Sequence, residues 1–267
     1  MLLAAVTATP ASARTADSSF HSAALHGTLH FEVYLPSGYA TSGLHYPVVY
    51  FLHGLPAGSG DYRNLGFVEK ALATLPAPSI LVVPQGARSG DPDPEYLDQG
   101  PGRKWATAIA AELPRVIDAR YRTIASRRGR ALIGLSAGGY GAMHLALDHL
   151  AAFSVVESWS GYFHPTDPTG LQGLDLGSAQ DNDRANVHTQ ALRLRATLRS
   201  QRTLIAFYVG KGDTRFEAEN EQLNQELSRA GISHVFRLYA GGHDQQLWGR
   251  YAPAWLALAV SHLAPAR

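Results

Sequence analysis

Arg130-Ala-Leu-Ile-Gly-Leu-Ser-Ala-Gly-Gly-Tyr-Gly141 is the stretch whose reading decides the fold. A short apolar run passes straight into Gly134-Leu-Ser136-Ala-Gly138, then into small residues and helix formers. The pattern G-x-S-x-G between a strand and a helix is a nucleophile elbow, a tight turn that lifts a serine hydroxyl clear of a sheet. A serine O–H is a poor nucleophile at neutral pH, so it must be presented to a base. Side chains two residues to either side would collide in such a turn, which is the work of Gly134 and Gly138; Gly139 and Gly141 let the following helix lie close to the sheet. The bare pentapeptide is a weak signal because glycine and serine are common. The strand before it and the helix after it make it a strong one.

An elbow of this kind needs an acid and then a histidine, in that chain order, each leaving the carboxyl edge of the same sheet. Thr203-Leu-Ile-Ala-Phe-Tyr-Val-Gly210 is apolar and β-rich, and Lys211-Gly-Asp213 follows it, so Asp213 leaves the end of a buried strand. Its rivals are weaker. Asp175, Asp181 and Asp183 lie in a polar stretch with no strand before it, and Asp244 adjoins the candidate base, where successive side chains of an extended segment point apart. Ser233-His-Val-Phe-Arg-Leu-Tyr239 leads into Ala240-Gly-Gly-His243, which places His243 on the loop after the last strand. The chain has 12 histidines, and most must be ordinary surface or packing residues. Two glycines before His243 suit a turn that projects one side chain into a cleft.

Attack by the serine creates an oxyanion that needs two backbone N–H donors. Ala137, at the positive end of the helix after Ser136, supplies one. The other comes from the loop after Tyr46-Pro-Val-Val-Tyr-Phe-Leu-His53-Gly54-Leu55-Pro56. Pro56 has no N–H, so Leu55 is the donor, with Gly54 giving the backbone freedom to turn it inward. His53 shapes this loop by hydrogen bonding and is not the base.

The segments "YFLHGLPAGSGDY", "GLSAGGYGAMHLAL", "YVGKGDTRF" and "AGGHDQQLW" resemble the putative-esterase family of α/β-hydrolases, which includes feruloyl and acetyl esterases, S-formylglutathione hydrolases and mycolyltransferases. The resemblance covers about residues 28 to 262. It implies an eight-stranded, mostly parallel sheet flanked by helices, with Ser136, Asp213 and His243 as the triad. The run ending in Trp248 is similar to the feruloyl-esterase branch. The residues after the nucleophile, "SAGGYG", resemble the hydrolases more closely than the mycolyltransferases.

A length of 267 residues suits one α/β domain with a sizeable core. A formal net charge of +1 without a basic cluster argues against a nucleic-acid partner. The chain has no cysteine, which excludes disulfides, thiolate metal sites and cysteine nucleophiles. Helical metal-ligand spacing such as H-E-x-x-H is absent too, so neither a metal nor a cofactor is expected. Met1 to Val6 is apolar and Ala11-Ser-Ala13 has the small-x-small form that signal peptidase cleaves. Residues 1–13 therefore read as the tail of a secretory signal and 14–267 as the catalytic domain of a secreted protein. No other stretch approaches the roughly 20 apolar residues of a membrane span.

Strand-like runs at about 28–35, 46–53, 79–84, 130–135, 153–159, 203–209 and 233–239 alternate with helical ones at about 64–75, 104–120, 136–150, 187–200, 214–230 and 247–263. Such alternation predicts a parallel sheet covered on both faces, and the resemblance implies that this is the α/β-hydrolase arrangement. Pro114 should kink or divide the second helix. Ser89 to Gly102 and Phe163 to Asn186 read as long polar loops, the second overhanging the cleft or making a solvated excursion. Tyr62, Tyr140, Trp159, Tyr162 and Trp248 are the aromatics expected near the mouth, with Tyr140, Trp159 and Trp248 as substrate contacts suited to a sugar or an aromatic acyl group. The expected activity is a secreted serine esterase cleaving short-chain or aromatic acyl esters, such as feruloyl or acetyl groups on carbohydrate. The alternatives are an acyltransferase of the mycolyltransferase type with the same triad, or a catalytically silent carbohydrate-binding protein on the same fold.

Overall fold

The computed structural model describes residues 13–14, 17–55, 58–91, 94–167 and 172–267. Its strands are β1 (Ala13–Arg14), β2 (Ser18–Ser22), β3 (Gly27–Leu35), β4 (Val48–Leu52), β5 (Ile80–Pro84), β6 (Arg130–Leu135), β7 (Val155–Trp159), β8 (Leu204–Gly210) and β9 (Val235–Tyr239). They form a single sheet in the order β1-β3-β5-β4-β6-β7-β8-β9, with β2 paired to β3 beside that path. From β5 to β9 the neighbours are parallel, while β3 runs antiparallel to β5 and to both β1 and β2. The resemblance implies eight strands and the residues themselves show seven strand-like runs; nine strands are present among the described residues. Beyond those seven runs stand Ala13–Arg14 and polar Ser18–Ser22, the latter alternating in burial along the edge of β3. A run of serine, phenylalanine and histidine carries too little apolar signal to read as a strand alone. Of the proposed leader, only Ala13 belongs to the described residues, and it pairs with Leu35.

Why the sheet carries two cores is legible along β4, whose five residues are all buried. Successive side chains of a strand point to opposite faces. Val48, Tyr50 and Leu52 accordingly join one core with Trp105, Leu113, Met143, Val187 and Leu223, whereas Val49 and Phe51 join the other with Val68, Leu72, Trp255 and Leu256. Helices Ala137–Asp148, Val187–Arg193 and Glu217–Arg229 cover the first face, and Gly66–Ala73 and Gln245–Ser261 cover the second.

Two helices depart from the simple reading. The run around Pro114 is helical at Trp105–Thr107, widens to a π-turn over Ala108–Glu112 and resumes at Leu113–Arg120 with the proline in its first turn. Proline has no N–H to give an i−4 carbonyl, and its ring crowds that carbonyl, so the wider turn relieves both faults. Inside the stretch read as a polar loop, Ala179–Ala185 is a helix capped by Ser178, whose Oγ accepts from the Asp181 N–H. Ser178-Ala-Gln-Asp181 is a capping-box spacing, the signal that would have located it.

The chain passes from β4 to β5 on one side and returns to place β6 on the other. At such a switch point the loops leaving the carboxyl ends of β4 and β6 diverge and open a crevice, the usual ligand position of an open α/β sheet. Those loops begin at His53 and Ser136.

Candidate active site

Ser136 follows β6 and precedes helix Ala137–Asp148, with φ 56° and ψ −121°. Positive φ in a residue with a Cβ is costly and persists only where the surroundings impose it. Here they do. The Ser136 N–H donates to the Trp159 carbonyl of β7 at 2.8 Å, and the Ser136 carbonyl accepts from the Gly139 N–H at 2.8 Å. A Cβ on Gly138 would lie 2.1 Å from the Leu52 carbonyl oxygen, and one on Gly134 1.9 Å from that of Gly138, so the flanking glycines are demanded by contact. Ala137 and Gly138 are the first residues of the helix, where N–H groups have no intrahelical acceptor.

The ends of β8 and β9 are laced together, the Lys211 N–H donating to the Tyr239 carbonyl and the Gly212 N–H to the Gly241 carbonyl, both at 2.7 Å. This lacing sets two loops side by side. One carries Asp213, only 2% exposed, whose carbonyl also accepts from Phe216 and Glu217 as helix Glu217–Arg229 begins. The other carries His243. Its Nδ1 lies 2.7 Å from Asp213 Oδ2 and its Nε2 lies 3.0 Å from Ser136 Oγ. That network assigns the proton of neutral imidazole to Nδ1, facing the carboxylate, and leaves Nε2 to accept from the serine hydroxyl. The rings of Phe216 and Trp248 stand edge-on to the imidazole at 5.4 and 5.0 Å. Trp248 is held in turn by its indole N–H, which donates to Ser160 Oγ at 2.9 Å. The guanidinium of Arg215 stands over the Phe216 ring, its Nε 3.9 Å from Asp213 Oδ1.

Asp244, the nearest rival acid, is occupied elsewhere. It is the N-cap of helix Gln245–Ser261, accepting from the Leu247 N–H at 2.9 Å, and this bond with those from Gly242 and Gln246 holds its carboxyl below the usual range. Asp175 accepts from the Gly177 N–H and from Asn182, and Asp181 sits in the capping box of Ser178.

The loop after β4 lies against the nucleophile, since a Cβ on Gly54 would come 3.0 Å from Ser136 Cβ. Leu55, half-buried, follows it. His53 is buried and neutral in its surroundings, burial pushing its pKa down. Its Nδ1 is 2.8 Å from the Gly54 carbonyl and its Nε2 accepts from the Gly86 N–H at 3.0 Å.

The expected substrate contacts need correction. Tyr140 and Trp159 are both 0% exposed. Tyr140 stacks between His144 and Tyr162 and donates to the Ala185 carbonyl, while Trp159 packs on Phe51 and Trp255 and donates to Glu157. A side chain with no accessible surface cannot touch a ligand. Tyr62 and Tyr162 are likewise interior, bonded to Asp17 and Glu95. Trp248 keeps 8% of its surface exposed, beside His243. Phe216, Ser160, Glu95 and Tyr96 escaped notice in the sequence. Phe216, three residues after the acid, had a positional signal; Ser160 and the Glu95–Tyr96 pair gain their places only from contacts with distant segments. Among the described residues no group of His, Asp or Glu could hold a metal ion, and no helix is long and apolar enough to cross a membrane.

Known proteins resemble this chain in sequence and in fold. Esterase Rv1288 of Mycobacterium tuberculosis is 30% identical over 238 residues, covering 79% of this chain and 51% of its own length. The chain thus spans about half the length of the curated relatives it matches. Among solved structures, a ferulic acid esterase superposes with a TM-score of 0.80 at 23% identity, covering 95% of this chain and 98% of that one. An S-formylglutathione hydrolase from Agrobacterium tumefaciens gives 0.77 at 21% identity, covering 97% and 98%. These likenesses establish the α/β-hydrolase fold. The profile described as "Putative esterase" matches residues 22–254, nearly the whole of the described fold, and the chain belongs to that family.

Proposed function

We propose that this protein is a serine carboxylic-ester hydrolase in which Ser136 is the nucleophile, His243 the general base and acid, and Asp213 the carboxylate that orients the imidazole. The observation that carries the reading is the continuous chain Asp213 Oδ2, His243 Nδ1, His243 Nε2, Ser136 Oγ, with links of 2.7 and 3.0 Å. As Ser136 Oγ attacks an ester carbonyl, His243 takes its proton at Nε2, and the buried carboxylate stabilises the imidazolium. The carbonyl oxygen becomes an oxyanion held by the N–H groups of Leu55 and Ala137. Collapse expels the alcohol, protonated by His243, and leaves an acyl-serine. Water activated by the same histidine then releases the acid.

For the substrate we propose a short-chain or aromatic acyl ester, including acetyl or feruloyl groups on carbohydrate. The polar composition of Thr166 to Asn186 supports it, and so does the indole edge of Trp248 beside the base. Export is proposed on the Ala11-Ser-Ala13 pattern. Hydrolysis of p-nitrophenyl esters from acetate to palmitate and of methyl ferulate, with and without a sugar acceptor, tests the reading. The expected result is free acid from the short and aromatic esters and none with Ser136→Ala. Rates rising steadily to palmitate would refute the acyl preference, and acyl-sugar as main product would replace the hydrolase with a transferase. Failure of a fluorophosphonate to label Ser136 in the folded protein would favour a silent binding protein.

A further inference from the structure

Loop residues Glu95 and Tyr96 both adopt positive φ, 48° and 55°, without being glycine. Two such residues in succession are strained and persist only when something holds them. Both side chains are directed inward, at 1% and 3% exposure. Glu95 accepts from the Tyr162 hydroxyl at 2.6 Å, which ties this loop to the one leaving β7. The Tyr96 ring lies against helix Ala137–Asp148 at Gly141, where a Cβ would meet it at 2.6 Å, and its hydroxyl donates to the His53 carbonyl at 2.6 Å.

His53 adds a second bond to the same loop. Its Nε2 accepts from the Gly86 N–H, so the ring proton is on Nδ1 and is donated to the Gly54 carbonyl at 2.8 Å. Tyr96 thus pins the peptide plane between residues 53 and 54, and His53 pins the plane between 54 and 55. Gly54 has no Cβ to limit its torsions, yet both planes that flank it are held. In a planar trans peptide the N–H points opposite to the carbonyl. Fixing the Gly54 carbonyl therefore fixes the direction of the Leu55 N–H, in a loop already in contact with Ser136.

We infer that Tyr96 is a positioning residue for the oxyanion site: its hydroxyl holds the 53–54 peptide while the His53 ring holds the Gly54 carbonyl, and the two bonds together fix both planes about Gly54 and so aim the Leu55 N–H at the developing negative charge. The inference rests on the esterase reading above. Oxyanion donors work because they are aimed before the reaction begins, so a hydroxyl that sets the aim should affect the transition state more than substrate binding.

Tyr96→Phe keeps the ring against Gly141 and removes only the hydroxyl. Tyr46→Phe is the control: Tyr46 is as buried, has its hydroxyl 2.5 Å from Ser42 Oγ, and lies just before β4, at the end of that strand away from the site. We expect kcat for a p-nitrophenyl ester to fall roughly tenfold in Tyr96→Phe with KM within about twofold, short of the ~10²–10³-fold cost of deleting an oxyanion donor outright. Tyr46→Phe should retain wild-type kcat even where its thermal midpoint drops. A matched ester and thionoester supply a readout that simple loosening would not move. The preference for oxygen over the larger sulfur should narrow in Tyr96→Phe and not in Tyr46→Phe. An unchanged kcat, a loss carried by KM, or an unchanged oxygen-to-sulfur ratio in Tyr96→Phe would overturn the inference while wild-type turnover upheld the esterase. A wild-type protein that neither cleaves esters nor reacts with a fluorophosphonate at Ser136 would overturn both.

Discussion

Ser136 bears its cost in its own backbone, held at positive φ between the carbonyl of Trp159 and the start of a helix. Asp213 bears a different one, a carboxylate taken out of water. Burial of a charge is tolerable when a partner is at hand, and the His243 N–H at 2.7 Å is that partner. The two aspartates near His243, the proposed base, can be separated by experiment. Asp213→Asn leaves the shape intact but presents an amide that favours the wrong histidine tautomer, and kcat should fall by roughly 10⁴-fold, as for the equivalent change in other triads. Asp244→Asn substitutes one good N-cap for another and should stay within about threefold of wild type, the cap being worth ~1 kcal/mol of stability at most in this exchange. Steady-state rates for the pair decide it. A larger loss in Asp244→Asn would reassign the acid.

At the scale of elements, β7 carries Glu157 inside the sheet face covered by helix Gln245–Ser261. Burial pushes its pKa up to about 8, against the opposing hydrogen bonds from the Trp159 indole and the Tyr208 hydroxyl. A carboxyl whose folded pKa is raised contributes its full stability below its unfolded value, about 4.5, and loses it as pH rises through about 8. Fully buried, the effect is on the order of several kcal/mol. Glu157→Gln cannot ionise, so it should be more stable than wild type at pH 8, with a midpoint raised roughly 2–4 °C for each kcal/mol recovered. The two proteins should converge near pH 4. Thermal melts at both values check this, and parallel curves would show that Glu157 does not titrate as described.

Across the molecule, the loop leaving β7 is tied to the helix layer by a cluster of four side chains. His164, on the loop from β7, has Nδ1 2.5 Å from Glu219; His188, on helix Val187–Arg193, lies 3.5 Å from the same carboxylate and 2.6 Å from Glu226. The Phe163 N–H also donates to Glu219 at 3.0 Å. Burial opposes charge on His188, but its bonds to Glu219 and Glu226 outweigh that and raise its pKa; the bond that His164 donates to Glu219 raises that of His164. For Glu219 the two histidines likewise overcome burial and lower its pKa. The histidine contribution is complete below pH 6.5 and fades as pH rises through their folded values, while that of Glu219 is complete above 4.5 and fades as pH falls. The tie is therefore firmest between 4.5 and 6.5. His188→Gln should flatten the loss of thermal midpoint between pH 6 and pH 8 relative to wild type. An unaltered slope would exclude the cluster as its source.

What the residues determined alone was the part of the protein that is local or ordered along the chain. The elbow at Ser136 needs a strand, a turn and a helix in succession, and the proposed acid and base follow from chain order along a parallel sheet, so Asp213 and His243 could be put forward before any contact was known, and the structure brings their side chains together with that of Ser136. The tertiary structure decided which side chains see the cleft. Tyr140 lies one helical turn after Ser136 and Trp159 ends the neighbouring strand, yet the period of helix and strand turns both inward, where residues from other segments cover them. The same dependence hid Phe216 against the imidazole and Tyr96 against the loop after β4. Burial and hydrogen-bond partnership are properties of pairs of distant segments, and nothing in one segment's own spacing encodes what the fold will lay against it.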